Sequence, residues 1–399
     1  GYAAFLQLAR TRLLTISPAA MEWVAFSADG TVIASENESW FGLWSLEDGD
    51  AACHSSLPDG IRWLRFSHDG RELASSDDGG IRFWDASTGR QVAALPFRIG
   101  LDYGPDDRVF VSLAFDFRIS VFERRTSNER LIEGFSRSGV FPVAPDEQSE
   151  DSRARELYYH ASTTPPLRML SSDGEYVLAV LSGRGGLYGS DLSGVPAVFL
   201  DSDFEGRGVF GTHAIEFWPF AESLVYVGRS GGTAPQGVLL TRTLGEEGLT
   251  EVSEFEGRLL ACAPLPTRMQ LAVVTSVESG DRLRIQLIDR IDGATLNSVD
   301  LDQSSQSNNI AEDPNVIASC STDSEILAVS SGQRTTLLLL NDLSILGHLE
   351  GHPGPIQAHA FCQRSPRLAT ADESTILIWD LQPFTSVTPA KRMRRPQSP

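Results

Sequence analysis

The sequence predicts an all-β fold built from a repeated four-stranded unit, and three observations predict it. One pattern recurs along the chain: an apolar strand, a turn of Asp-Gly type, a second apolar strand, a polar turn, then a third strand. The implied strands are short and alternate apolar with polar residues, as half-buried antiparallel strands do. No long stretch of helical periodicity interrupts the repeats.

The segment from Ile61 sets the frame, IRWLRFSHDGRELASSDDGGIRFWDASTGRQVAAL. A first strand ends at Phe66, and Asp69-Gly70 turns the chain into a second at Leu73-Ala74. A turn over Asp77 to Gly80 leads to a third strand, Ile81 to Trp84, closed by Asp85. Thr88-Gly89 then turns into a fourth. The frame recurs as VAFSADGTVIAS from Val24, LDYGPDDRVFVS from Leu101, RMLSSDGEYVLAV from Arg168 and IEFWPFAESLVYV from Ile215. It recurs again as LACAPLPTRMQLAVV from Leu260, IASCSTDSEILAVSS from Ile317 and HAFCQRSPRLATADESTILIWD from His359. The first turns fall at 30, 70, 107, 174, 221, 268, 324 and 365, with spacings from 37 to 67 residues. The shorter spacings suit a repeat of about 40–45 residues, and the longer ones require insertions.

These residues resemble the WD40 family across about residues 13 to 381. The last copy carries Gly351-His352, Phe361 nine residues after the histidine, and Trp379-Asp380. The second copy carries Trp84-Asp85, with Asp78 at the turn where the family has its structural Asp. Elsewhere the closing dipeptide decays to Trp44-Ser45, Phe122-Glu123, Ile288-Asp289 and Leu340-Asn341, and the fifth copy has none. The resemblance implies a WD40-type β-propeller of eight four-stranded blades, with seven as the alternative. Asp78, Trp84, His352 and Trp379 are then structural. Residues 1–383 form a single propeller domain, and 384–399 a basic, Pro-containing tail. Because each repeat begins with the outer strand of the preceding blade, Leu8 to Ile16 is expected to complete the last blade and close the ring.

Composition narrows the function classes. The formal net charge is −20, with 53 acidic against 33 basic residues. Such a surface repels phosphate backbones, so no nucleic-acid partner is expected. The exception is local: Lys391, Arg392, Arg394 and Arg395 crowd the tail. Cys53, Cys262, Cys320 and Cys362 stand far apart without a CxxC pair, which suggests buried free thiols rather than a zinc or redox site. No apolar run has the ~18 residues of a membrane span, and no secretory signal is present. An intracellular protein is expected, in the cytoplasm, with the basic tail leaving the nucleus open.

Motifs for chemistry fail on context. GRGVFG at 206–211 matches GxGxxG, but no helical pattern follows to set amides and dipole against a pyrophosphate. DSDFEG at 201–206 resembles the start of a calcium loop, yet the twelfth position is Thr212, where a bidentate Glu is needed. There is no GxSxG, HExxH or P-loop. No catalytic residue, metal or cofactor is therefore assigned.

Excess length collects near 134–165, 201–212 and 302–314, between the fourth strand of one unit and the first of the next. The family places these connections on its top face, and rigid scaffolds carry function in such loops. The first insertion holds Asp146, Glu147, Glu150 and Asp151, then the aromatic pair Tyr158-Tyr159. Trp23 and Trp63 each stand three residues before the repeat's Phe26 or Phe66, near the top of the channel in the family. Asn37 and Asp77 fall beside them. The expected function is a non-catalytic scaffold or adaptor that binds a protein or peptide, as part of a multi-subunit complex or alone, through Trp23, Asn37, Trp63, Asp77, Tyr158 and Tyr159. Two alternatives stand: a sensor module of a larger signalling protein, and a metal-dependent propeller enzyme such as a lactonase.

Overall fold

The computed structural model describes residues 10–132 and 176–385, apart from the connections at 16–22, 38–39, 47–50, 57–60, 62, 78, 105, 115–118, 182–185, 192–197, 202–208, 218–222, 231–236, 244–249, 256–257, 266, 278–281, 290 and 303–315. Its elements are β-strands and one four-residue helix, as the repeat pattern requires.

β1 (Arg10–Thr15) precedes the first complete sheet, which is β2 (Trp23–Phe26), β3 (Val32–Asn37), β4 (Trp40–Ser45) and β5 (Ala51–Ser56). The second is β6 (Trp63–Phe66), β7 (Glu72–Asp77), β8 (Gly80–Asp85) and β9 (Gln91–Pro96). The third is β10 (Arg98–Tyr103), β11 (Val109–Ala114), β12 (Ile119–Glu123) and β13 (Asn128–Ile132). Three strands make the fourth: β14 (Tyr176–Leu181), β15 (Gly186–Asp191) and β16 (Val198–Asp201). The first strand predicted for it, from Arg168, lies outside the described residues. The fifth is β17 (Val209–Phe217), β18 (Ser223–Ser230), β19 (Gly237–Thr243) and β20 (Thr250–Phe255). The sixth is β21 (Arg258–Pro264), β22 (Gln270–Ser276), β23 (Arg282–Asp289) and β24 (Thr295–Asp302). The seventh is β25 (Val316–Cys320), β26 (Ile326–Ser331), β27 (Arg334–Leu339) and β28 (Ser344–Glu350). The eighth combines β29 (Ala358–Phe361), β30 (Arg367–Ala371) and β31 (Thr375–Asp380) with β1, which pairs antiparallel to β31 from Arg10↔Trp379 to Thr15↔Thr375. The helix α1 (Gln382–Thr385) follows and buries Phe384.

Successive sheets pack face to face through apolar side chains. Leu260, Ala272 and Val274 of the sixth sheet meet Leu327, Val329 and Leu338 of the seventh. Ala328, Leu337 and Leu349 of the seventh meet Leu368, Leu377 and Trp379 of the eighth. Val24, Phe26 and Trp44 of the first sheet lie against Ala369, Ala371 and Ile378 of the eighth. Phe41 and Leu43 pack on Leu64, Leu73 and Trp84, with the Phe41 and Trp84 rings edge to face at 5.0 Å. Phe83 of the second sheet meets Phe110 edge to face at 5.0 Å and stacks on Phe122 at 6.0 Å. Each large side chain buried this way contributes roughly 1.5–3 kcal/mol by leaving water.

The turn chemistry follows from the repeat. In the first turns Asp29 accepts from the Ser27 hydroxyl and the Thr31 amide, and Asp69 from the Ser67 hydroxyl and the Arg71 amide. Gly30 and Gly70 take the left-handed position that ends each turn, at φ 73° and 75°. The closing Asp85 accepts from the Ser87 and Thr88 hydroxyls and amides, which holds its carboxyl below the usual range.

Three boundaries differ from the sequence reading. Leu338-Leu339, not Leu340-Asn341, holds the closing register: Leu340 N donates to Glu325 O as Ala86 N does to Arg71 O. The fifth sheet does have a closing pair, Arg242-Thr243, opposite Leu224 and Ser223. It escapes a dipeptide search because neither residue is apolar or aromatic. Within the insertion placed at 201–212, Val209 to Thr212 already belong to β17.

Candidate interaction face

Antiparallel pairing sends each sheet's first-to-second and third-to-fourth turns to one end of the strands. The second-to-third turns and the connections between sheets go to the other. The two ends are built differently. At the first-turn end, turns reach their neighbours. The His68 and Asp69 amides donate to Asp107, and the His68 ring meets it too, all at 2.8–2.9 Å. Thr267 N donates to Ser324 Oγ, and Thr322 Oγ1 to Gln363 O. A Cβ on Gly30 would lie 2.5 Å from Cys362 Sγ, and one on Gly70 2.6 Å from Ala28 N. These contacts tie neighbouring sheets together at this end, where Asp29, His68, Asp69 and Arg71 are also exposed.

At the opposite end, the turn from Asp77 to Gly80 locks to the single residue that joins β9 to β10. Phe97 N donates to Gly79 O at 3.1 Å. Gly80, at φ 130°, lies so close that a Cβ would sit 2.3 Å from Leu95 O. Phe97 is itself left-handed, at φ 56°, and 63% exposed. A non-glycine residue held in that region costs about 1–3 kcal/mol. Arg98 donates to Phe97 O and pairs with Glu129 at 2.9 Å.

The predicted contact residue Asp77 is enclosed by its own turn. Its side chain is fully buried, accepts from Gly79 N at 2.9 Å and pairs with Arg82. It also takes the register predicted for Asp78, seven residues before the closing Trp84, as Asp372 stands seven before Trp379. Asp78 lies outside the described residues, as do Tyr158 and Tyr159. Trp23 and Trp63 open β2 and β6 and pair across the backbone with Glu36 and Ser76; Asn37 ends β3 opposite Trp40. Trp23 and Trp63 thus share a register position in adjacent sheets. Phe97 escapes a reading of the sequence because Leu-Pro-Phe-Arg looks like the end of a strand. Its only signal is a sheet-to-sheet connection one residue long.

Around Trp379 the side chains form a chain. Trp379 Nε1 donates to Thr370 Oγ1 at 2.8 Å, and Thr370 Oγ1 lies 2.7 Å from His352 Nε2. His352 Nδ1 stands 3.0 Å from Asp372, whose other oxygen accepts from Ser374 N. Hydroxyl, imidazole and carboxylate are thus ordered as in a hydrolytic triad. All three are buried, however, and the indole occupies the hydroxyl, so no substrate can reach it. The second sheet keeps the Trp84 Nε1 to Ser75 Oγ bond at 2.8 Å. The third has Phe122 in the tryptophan's place, and the Ser112 hydroxyl is buried with no partner.

Two other titrating groups are shifted away from reactivity. Burial pushes His359 down to about 4, although its Nδ1 lies 2.8 Å from Ser319 Oγ. An imidazole that weak is a poor general base near neutrality. Burial pushes the Cys320 thiol up to about 12, away from reactivity, and Cys262, Cys320 and Cys362 are unbridged. No group of three or more His, Cys, Asp or Glu among the described residues is placed to hold a metal. No described helix is long and apolar enough to cross a membrane.

The family model described as WD domain, G-beta repeat, matches residues 52–85 and 343–380, the two segments that end in Trp84-Asp85 and Trp379-Asp380. No curated protein sequence matches the chain. Among solved structures, the C-terminal WD40 domain of Sif2 aligns with TM-score 0.60 and 11% identity, over 93% of this chain and 99% of that one. The β-propeller domain of Myceliophteria thermophila Cps50 (Swd1) aligns with TM-score 0.50 and 15% identity, over 93% and 98%. At such identities the likeness is one of fold. The chain thus carries WD40 repeats at 52–85 and 343–380 and shares the fold of WD40 β-propeller domains.

Proposed function

We propose that the protein is a non-catalytic interaction scaffold: one eight-bladed ring, completed where β1 joins β31, that binds a protein or peptide through the end bearing the sheet-to-sheet connections. One observation carries this reading. Described first turns hydrogen-bond to the turns of neighbouring sheets, whereas at the opposite end the connection at Phe97 holds a large apolar side chain in solvent. Trp23 and Trp63, in one register position, would supply aromatic anchors there, with Asn37 beside them and Tyr158 and Tyr159 reaching in from the insertion. The net charge of −20 suits a basic partner surface, mainly by speeding association.

The test is affinity purification from the native host, followed by titration of the recovered partner against variants. Trp63→Ala should weaken binding by about 2 kcal/mol or more if it is an anchor. Reversing Asp146, Glu147, Glu150 and Asp151 to Arg should slow association and reduce its salt dependence. Controls belong at Arg71 and Arg108, exposed side chains on the first-turn end. Asp29 and Asp69 are unsuitable because their carboxylates hold their own turns together. Binding lost at Arg71 and Arg108 but kept in Trp63→Ala would refute the choice of face.

A further inference from the structure

We propose that the first-turn end is a self-complementary docking face for a second copy of this chain. The two copies are related by a two-fold axis that lies in that face, over the seam between the eighth and first sheets. Shared apolar clusters make the sixth, seventh, eighth, first, second and third sheets successive neighbours. Two coaxial copies meeting end to end about that axis set the eighth sheet on the other copy's first, the seventh on its second and the sixth on its third. The same rotation preserves distance from the centre. First turns therefore meet first turns, and third-to-fourth turns meet third-to-fourth turns.

The exposed charges obey this arrangement. The seventh sheet's turns at this end carry Asp323, Glu325 and Asp342, all exposed, and no basic residue. Arg268 of the sixth sheet offsets Glu325, at 3.7 Å. The second sheet, which the axis sets on the seventh, carries Arg71 and Arg90 in its turns against Asp69. Arg90 is exposed in the third-to-fourth turn and has no side-chain partner among the described residues. Asp342 stands in the matching turn of the seventh sheet, where it accepts from Ser344 N at 3.0 Å and meets no cation among the described residues. The eighth and first sheets repeat the match closer to the centre. Arg364, exposed and unpaired among the described residues, stands in the first turn of the eighth, and exposed Asp29 in the first turn of the first. The sixth and third sheets are near balance, with Asp292 beside Arg290 on one and Arg125 beside Glu123 on the other.

A second copy is the occupant because one rotation brings the unpaired Arg90 onto Asp342, and the unpaired Arg364 onto Asp29, each pair twice. The net charge of −20 opposes self-association. At about 0.15 M salt, screening over about 8 Å leaves the facing turns to act. Those turns are already fixed. Asp107 holds the His68 and Asp69 amides, Ser324 holds Thr267, and Gln363 O holds Thr322, so little ordering is left to lose on docking. Charge sets the partner and its register, while Ile291, 74% exposed in the sixth sheet's turn, supplies apolar contact. The proposed binding face at the opposite end stays open, and the inference does not depend on it.

The experiment is sedimentation velocity on the full chain over a concentration series at about 0.15 M salt, with the variants R90E and D342R. Wild type should dimerise. Either variant alone should weaken the dimer at least about tenfold, because each substitution acts at two places about the axis. D342R lowers the net negative charge, so bulk repulsion alone would predict tighter association; weakening reports the facing pair. An equimolar mixture of the two variants should return to within about threefold of wild type, since opposite charges then meet at both places. A misfolded variant would not be rescued in this way. Trp63→Ala should leave the dimer intact, whatever it does to partner binding, which separates this test from that of the proposed function. A monomer at every concentration, a dimer indifferent to both variants, or a mixture that stays dissociated would overturn the proposal.

Discussion

Arg82 reaches across the β7–β8 turn to pair with Asp77, a carboxylate that solvent does not touch. In the eighth sheet the matching Asp372 faces His352, and the residue matching Arg82 is the buried Leu377. Leu57 stands nine residues before Phe66, where His352 stands nine before Phe361. The second repeat has therefore exchanged a histidine from the preceding connection for an arginine two residues before its tryptophan. Arg82→Ala should destabilise the protein by about 3–5 kcal/mol, because it leaves a buried charge without its cation. Asp77→Asn added to it should recover part of that loss. A double-mutant cycle in urea that shows no coupling would contradict the pairing.

Thr370 serves two partners at once. Thr370→Val keeps the shape but strands the Trp379 indole N–H and the His352 imidazole, both buried. A loss of about 2–6 kcal/mol is expected, from about one to three for each of the two abandoned groups. Denaturant midpoints within the error of wild type would show that the chain contributes nothing to stability.

The third and sixth sheets offer the reverse case. Ser112 and Thr275 carry buried hydroxyls without partners, the first because Phe122 has no N–H to offer it. Ser112→Ala should therefore stabilise the protein, by about 1 kcal/mol, rather than open a cavity of consequence. Thermal unfolding decides the sign.

His359 gives a pH signature. Burial lowers it from 6.5 to about 4, so the folded state holds it neutral while the unfolded chain protonates it near its ordinary value. Its contribution is full above about pH 6.5 and is lost as pH falls toward 4. His348 is lowered as well, by burial first and then by Arg334, and acts in the same direction. His359→Gln should thus flatten the decline in stability across that window without abolishing it. An unchanged slope in chemical denaturation would rule out His359 as its source.

The sequence revealed the repeats because their physics is local. Asp29 and Asp69 cap their own first turns, Gly30 and Gly70 accept the left-handed backbone after them, and alternation marks the strands. What it concealed depends on neighbours. Asp77 and Asp78 are adjacent acids in a polar turn, and only burial against Arg82 singles out Asp77. Arg242-Thr243 closes a sheet through register with Leu224, which no dipeptide pattern records. Phe97 reads as strand until pairing ends β9 at Pro96 and begins β10 at Arg98. The candidate contacts Trp23 and Trp63 were legible as a shared register, since that repeats; Phe97 shares its left-handed backbone with Asp107, Ser127, Ser324 and Leu343, but it stands in a connection between sheets.

The pairing of β1 with β31 also sets a timetable. Thr15 is made 360 residues before its partner Thr375 (375 − 15), so the eighth sheet joins strands far apart in the sequence. During synthesis β1 must wait while the other sheets can assemble from neighbouring segments. Such long-range pairing is slow, and strands awaiting partners are prone to stray association. A nascent chain stalled before residue 375 should therefore depend on chaperones more than one extended well past it.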